Sequence, residues 1–245
     1  MDEDRLYSDP ALVAFYDVES SDRVDFDFCR RFARGYRSML DQGCGTGELA
    51  ASLSERREVY GVDPAGPMLD VARRRPGGAG VRWVEGDARS VRLGRRFELI
   101  VLTGHAFQVF LTAADRRAVL GTIAVHLSPG GRFIFDTRNP AREEWQEWTE
   151  ERSRRAVDHP IHGRVEAWNE VDHDAETGIV TYRTLYRLPD QTLLSADSRI
   201  AFPSKDEVER SLRDAGLVAE RWLGDWAGGD WTPDAPEIVP IGTLA

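Results

Sequence analysis

Between residues 38 and 136, short apolar runs alternate with helical stretches, and this constrains the fold more than any other feature of the chain. The runs are Ser38-Met39-Leu40-Asp41, Val59-Tyr60-Gly61-Val62-Asp63, Val81-Arg82-Trp83-Val84-Glu85, Phe97 to Leu102 and Arg132-Phe133-Ile134-Phe135-Asp136. Helical patterns fill the intervals at Gly47 to Glu55, Pro67 to Arg74 and Asp115 to His126, and Ser128-Pro129-Gly130-Gly131 is read as the stop of the last. Strands separated by helices pair in parallel through crossovers, so the pattern predicts βαβ units and a doubly wound sheet.

After Asn139-Pro140 the pattern changes. Glu143 to Arg155 is charged, with Trp145 and Trp148 at helical spacing. Residues 161–172, 179–187 and 191–200 then read as strands joined by turns at Asp174-Ala175-Glu176-Thr177-Gly178 and Pro189-Asp190. This predicts a small antiparallel β insertion over about 141–200. Ser204 and Glu207 are spaced as a capping box, Gly216 closes the helix they open, and 217–226 with 237–244 form a closing hairpin. The expected fold class is α/β, a Rossmann-like, mostly parallel seven-stranded sheet carrying that insertion. The whole chain, 1–245, is expected to be one domain with an N-terminal helical lid over about 1–35.

Bulk properties narrow the partners. The net charge of −10, from 32 basic and 42 acidic residues, opposes a phosphate backbone, so nucleic acid is not an expected partner. The arginine runs at 73–75 and 152–155 are short and read as solvated faces. No apolar stretch approaches the length of a membrane span. Met1-Asp2-Glu3-Asp4-Arg5 is acidic and lacks the apolar core of a secretory signal, so a cytoplasmic location is expected. Cys29 and Cys44 are expected to be reduced thiols. His159, His162 and His173 are too loosely spaced for a structural zinc site, and no metal is expected.

The loop Asp41-Gln42-Gly43-Cys44-Gly45-Thr46-Gly47 follows a strand and opens a helix. Its glycines allow a sharp bend and close approach to a ligand, although a tight strand-to-helix turn would have the same pattern. Asp63 ends the second strand beside this loop, where a carboxylate can accept from both ribose hydroxyls and would repel a 2′-phosphate; it can equally cap the helix from Pro64 onward. Asp87 follows the third strand, where it can accept from an adenine amino group or close an Asx turn. The glycines are spaced Gly-x-Gly-x-Gly, and Glu48 stands where a dinucleotide fingerprint requires glycine. This disfavours a nucleotide-dependent oxidoreductase.

Taken together, the glycine loop, Gly61-Val62-Asp63-Pro64 with Met68, Glu85-Gly86-Asp87-Ala88 and Gly130-Gly131-Arg132-Phe133 resemble the successive motifs of class I methyltransferases, which use S-adenosylmethionine (SAM). The similarity covers roughly 36–140, and the 204–245 tail fits the family's closing helix and hairpin. The insertion resembles that of small-molecule N- and O-methyltransferases. The resemblance implies SAM as cofactor, S-adenosylhomocysteine as product and a small molecule as acceptor. It implies that Asp41 positions the loop and the methionine ammonium. Gly43, Cys44 and Gly45 would pack on the methionine part and ribose, and Asp63 would hold the ribose. Met68 would pack on adenine, with Asp87 and Ala88 reading its edge; Pro64 and Gly86 belong to the same motifs. Gln42, in a usually apolar position, and Glu98, where Asp is commoner, depart from the pattern without removing a ligand-facing group.

The fourth strand ends in Thr103-Gly104-His105-Ala106-Phe107-Gln108. Thr103 and Gln108 are expected to line the cofactor pocket. His105 is the candidate general base, although it could instead contact the cofactor or pack structurally. Tyr7 and Tyr16 lie in the stretch that resembles the family's lid, Tyr16 as a cofactor contact. Asp136 and Arg138 would face the acceptor. Tryptophans such as Trp145, Trp148 and Trp168 either form an apolar acceptor pocket or simply pack. The Asp/Asn-Pro-Pro-aromatic motif of DNA amino-methyltransferases is absent. A non-catalytic SAM-binding module is the rival from another class, and the insertion sheet offers a contact surface for a homodimer.

Overall fold

The computed structural model describes residues 4–20 and 23–245. The first three residues of the expected lid, and positions 21 and 22, lie outside that range. Five parallel strands form the frame: β1 (Ser38–Gln42), β2 (Glu58–Asp63), β3 (Val81–Glu85), β4 (Phe97–Leu102) and β5 (Leu127–Phe135). β6 (Thr137–Arg138) follows. Four more strands, β7 (Arg155–His159), β8 (Gly163–Asp174), β9 (Ile179–Arg187) and β10 (Leu193–Ala201), form a separate antiparallel sheet. β11 (Leu217–Leu223) and β12 (Glu237–Leu244) return to the main sheet, whose order is β3-β2-β1-β4-β5-β12-β11, with β6 on β12. Only the β12 pairings are antiparallel within it. The order reverses between β1 and β4, so a crevice opens beyond their carboxyl ends.

The central strands are covered on both faces, which explains their nearly continuous apolar runs. Leu40, Ile100 and Leu102 point into one core with Phe133, Phe135, Val119, Leu120, Val208 and Leu212. Their neighbours Met39, Leu99, Val101 and Ile134 point into the opposite core with Phe26, Cys29, Leu49 and Leu53. The helices supplying these layers are α3 (Val24–Phe32), α4 (Glu48–Leu53), α6 (Ala113–His126) and α8 (Lys205–Asp214). α5 (Gly66–Arg74) joins β2 to β3, and both cysteines are buried free thiols. The capping box forms: the Ser204 hydroxyl takes the Glu207 N–H while Glu207 takes the Ser204 N–H at 2.8 Å. Gly216, at φ 73°, follows the end of that helix.

Two expectations are corrected. Ser128 to Gly131 do not form a stop outside the strand; α6 ends at His126 and these residues already belong to β5, with Gly130 at φ 77°. Glu143 to Arg155 is not one helix. It breaks into short 3-10 turns and α7 (Glu150–Ser153), and Arg155 already begins β7. That strand has only two inward residues, Val157 and His159, too few for a visible alternation.

The small sheet turns one face inward. Val165, Ala167, Tyr186 and Ala196 pack on Leu12 and Phe15 of α2 (Pro10–Glu19). Val180, Tyr182 and Ile200, also inward, meet Trp145, Trp148 and Phe202. The outer face is an ion-pair surface in which Arg154 and Arg187 flank the Trp168 ring. No described helix is long and apolar enough to cross a membrane.

Candidate active site

The glycine loop lies at the reversal of strand order. Gly43, Gly45 and Gly47 all have positive φ (77°, 53° and 76°), a region that strains side chains. Space demands glycine as well. A Cβ on Gly47 would stand 2.4 Å from Cη2 of Trp83, and one on Gly61 2.4 Å from Cζ3 of the same indole. Trp83 is held by its own bond, Nε1–H to the Gly78 carbonyl at 2.9 Å. It therefore plugs the space between the glycine helix and β2, and only glycine at 47 and 61 leaves it room. Cys44 lies against the same position, its Sγ 3.0 Å from where a Gly61 Cβ would be.

Asp63 ties the loop down. Its Oδ2 accepts from the Gly45 N–H at 2.8 Å and its Oδ1 from the Ala65 N–H at 2.9 Å. The carboxylate thus anchors the loop and also caps the turn beyond Pro64. Burial pushes its pKa up while the two backbone bonds oppose the shift. Gln42 is fully buried, and its amide donates to the Ala88 carbonyl at 2.8 Å. This unexpected polar residue therefore joins the end of β1 to the Gly86-Asp87-Ala88 turn. Asp87 forms the Asx turn, accepting from the Arg89 N–H at 2.8 Å, and its carboxylate pairs with the Arg89 guanidinium, which also pairs with Asp115. That pairing holds its carboxyl below the usual range.

Side chains of α2 pack against α5 and the loop. Met68 is buried with Val13 and Ala65, against Tyr7 and Tyr16. The Tyr16 hydroxyl lies 3.5 Å from where a Gly45 Cβ would stand. Asp17 accepts from the Thr46 hydroxyl at 2.5 Å and pairs with Arg75, so α2 is fastened to the loop itself. Glu19 binds Arg155 and the Tyr186 hydroxyl of the small sheet.

Arg23 escaped the sequence reading. Its guanidinium binds Asp25 at 2.8 and 3.1 Å and lies 3.6 Å above the Phe26 ring. Burial works against its charge, but Asp25 and Tyr16 outweigh it and raise its pKa. An arginine beside aromatic residues in a loop carries no local signature, and nothing in the sequence marks it out. Asp41 lies under the same cation, 2% exposed. Burial drives its pKa up to about 7, Arg23 opposes this, and Asp63 and Asp25 add to it.

A carboxyl whose folded pKa lies above its unfolded value contributes stability at low pH, and that contribution is lost as pH rises from about 4 to about 7. Asp41→Asn is therefore expected to gain about 1–3 kcal/mol over wild type between pH 4 and pH 8, below the ceiling its shift allows. Urea unfolding of both proteins at the two pH values checks this, and parallel pH profiles would refute it.

On the opposite wall, Thr103 is buried at the end of β4 and Gln108 is fully buried. The Gln108 amide donates to the Ala201 carbonyl at 3.0 Å, and its oxygen accepts from Arg138 at 2.9 Å. Gln108 therefore braces the small sheet against the crevice. Arg138 also pairs with Glu144 and lies 5.1 Å from the Trp148 ring centre. His105 has φ 61° and its N–H donates to Asp136 Oδ1 at 3.1 Å. Its Nε2 lies 2.9 Å from Glu237 Oε1 and 3.5 Å from Asp136 Oδ2. Burial lifts the Asp136 carboxyl to about 6, with His105 opposing the shift. Glu237 arrives from β12, 132 positions away, and only strand pairing could reveal it. The other histidines pack: His159 stacks on Phe15 and His162, and His173 on Trp145.

A cofactor with a diol, an amino-acid end and a positive sulfonium fits this donor set. Asp63 offers an acceptor beside glycines that leave no side chain in the way, and Arg23, paired with Asp25, places a positive charge near the same crevice. Comparisons with known proteins agree. A family model described as "Methyltransferase domain" matches residues 39–131. The cypemycin N-terminal methyltransferase of a Streptomyces species is 28% identical over 207 residues, covering 84% of this chain and 82% of that protein. A dTDP-3-amino-3,4,6-trideoxy-alpha-D-glucopyranose N,N-dimethyltransferase of Streptomyces venezuelae is 33% identical over 122 residues, 49% of this chain and 50% of its own length. The fold of a SAM-dependent methyltransferase from Clostridium acetobutylicum superposes with a TM-score of 0.80 at 18% identity, covering 94% of this chain and 96% of that one. Strand order, glycine loop and these matches together give the chain a methyltransferase domain over residues 39–131, within a fold similar to that of SAM-dependent methyltransferases.

Proposed function

We propose that this protein transfers the methyl group of SAM to a nitrogen or oxygen of a small molecule, with the whole chain acting as one methyltransferase domain. The carrying observation is the meeting, in one crevice, of the Asp63-anchored glycine loop with His105 and its two carboxylates. The acidic net charge and the printed names of the two relatives, both methyltransferases whose names specify N-terminal or N,N-dimethyl transfer, support a small, non-nucleic-acid acceptor.

When bound, SAM supplies a methyl already activated by its sulfonium. In this reading Asp63 receives the ribose hydroxyls, while Gly43, Cys44 and Gly45 leave space for the methionine part. Arg23 holds the methionine carboxylate and Asp41 its ammonium. Met68 and Pro64 bound the adenine side, and Gly86, Asp87 and Ala88 form its edge. Tyr16 closes over the loop with α2, and Thr103 and Gln108 shape the far wall. His105 takes the proton that the acceptor loses, its imidazole held by Glu237. The small sheet and Trp148 cover the acceptor and keep water out, which favours in-line attack.

Release of S-adenosylhomocysteine against a panel of amine- and hydroxyl-bearing small molecules tests the activity. His105→Ala is expected to lower kcat about 100-fold while SAM affinity stays within error, the usual size for losing a general base. Unchanged turnover in that variant would remove His105 from the chemistry.

A further inference from the structure

We propose that His105, Asp136 and Glu237 form a binding site for a single first-row divalent cation. The inference uses the acceptor side of the proposed function but needs no methyl transfer to be tested. The three residues come from three strand ends: His105 after β4, Asp136 after β5 and Glu237 at the start of β12. One ligand atom from each lies within 4.8 Å of the other two.

Hydrogen bonding alone does not satisfy this cluster. Asp136 is 1% exposed and its Oδ2 has no hydrogen-bond partner; Glu237 Oε2 is likewise buried and unpartnered. An imidazole carries at most one proton on Nε2, so it can donate fully to one of the two carboxylates that approach it. The 2.9 Å contact to Glu237 uses that proton, and the 3.5 Å separation from Asp136 is too long to share it. A buried carboxylate oxygen left in this way carries the full desolvation cost of its charge.

A metal ion would meet all three atoms at once. With bonds of about 2.1 Å, neighbouring ligand atoms stand about 3.0 Å apart in an octahedral site and about 3.4 Å in a tetrahedral one. The observed separations from Nε2, 2.9 and 3.5 Å, bracket those spacings, and the three atoms lie within 4.8 Å of one another, so small side-chain shifts would bring them onto one ion. One imidazole with two carboxylates suits Mn, Fe, Co or Zn better than calcium or magnesium, which favour all-oxygen sites. Arg23 is the nearby cation, its Nη2 3.0 Å from where a Gly104 Cβ would stand, but Asp25 pairs with it through both oxygens. The His105 side chain is 25% exposed, which leaves the ion a route in and room for further ligands. Bound metal would replace the Nε2 proton and take over Glu237, which holds the imidazole in the proposed proton transfer, so metal loading and methyl transfer would compete.

Titration of the SAM-saturated protein with Co2+, followed by visible absorption and by calorimetry, tests the site. One equivalent is expected to bind and to give ligand-field bands, and Zn2+ is expected to displace it. Glu237→Gln and Asp136→Asn are each expected to weaken Co2+ at least about tenfold. SAM binding serves as the fold control, and His105→Asn substitutes for either variant that fails it. No stoichiometric Co2+ binding to wild type, or binding as tight in both tested variants as in wild type, overturns the proposal. Stoichiometric binding to a protein that transfers no methyl group would uphold the metal site and overturn the functional reading.

Discussion

Asp63→Asn is expected to weaken SAM binding about 100-fold and to leave the fold intact. The carboxylate holds the Gly45 N–H at 2.8 Å with one oxygen and the Ala65 N–H at 2.9 Å with the other. Its remaining lone pairs are the acceptors proposed for the ribose. An asparagine there can accept through only one atom and must turn its NH2 toward one of two backbone donors. It would either lose the loop anchor or lose the bond to the Ala65 N–H, and in both cases the negative charge. Hydrogen bonds to a charged group contribute about 1.5–3 kcal/mol, and about 2.7 kcal/mol is a 100-fold change in Kd. Calorimetric titration with SAM reads the effect directly. The fold should lose no more than about 1 kcal/mol, the usual net contribution of one hydrogen bond. If the Kd stayed within threefold of wild type, the nucleoside would have to bind away from β2.

Gly61→Ala is expected to destabilise the protein by about 3 kcal/mol, at the upper end for overpacking. Gly61 lies inside β2 with ordinary strand geometry, so backbone strain plays no part. The new methyl would stand 2.4 and 2.5 Å from Trp83 ring atoms and 3.0 Å from Cys44 Sγ. The indole cannot easily retreat, because its N–H is bonded to the Gly78 carbonyl and its rim already fills the space beside Gly47. For a domain of this size the midpoint should fall by about 6–12 °C. Trp83→Leu removes the clashing ring, so the double variant should be less destabilised than the sum of the singles, with a coupling of about 2 kcal/mol. Strict additivity would show that the methyl and the indole do not compete for space. SAM affinity should fall in the Gly61→Ala protein too, since the same indole supports the glycine loop from beneath.

Much of the site could be read locally. The bend at 43–47, the acid ending the second strand and the capping box at Ser204 each depend on residues within a few positions, and the structure places all three as the spacing implied. Asp87 was legible as a motif, but its carboxylate carries Arg89, and the Arg89–Asp115 contact spans 26 residues. Trp145 and Trp148 pack with Val180, Ile200 and Phe202, and Trp148 also lies beside Arg138.

The sequence by itself determined the order of strands and helices in the main sheet, because apolar periodicity and turn chemistry act over one element at a time. It also determined that a glycine loop and an acid would lie together, because a parallel βαβ unit brings the ends of β1 and β2 side by side. Tertiary structure alone decided that Glu237 faces His105, that Asp17 of α2 bonds Thr46 of the loop, and that Gln42 is buried against Ala88. Such contacts join residues 29 to 132 positions apart. A single polar side chain has no periodicity, so its partner is set by how sheets and lid pack, and that packing is decided by the sum of many apolar contacts rather than by the residues that come to share the site.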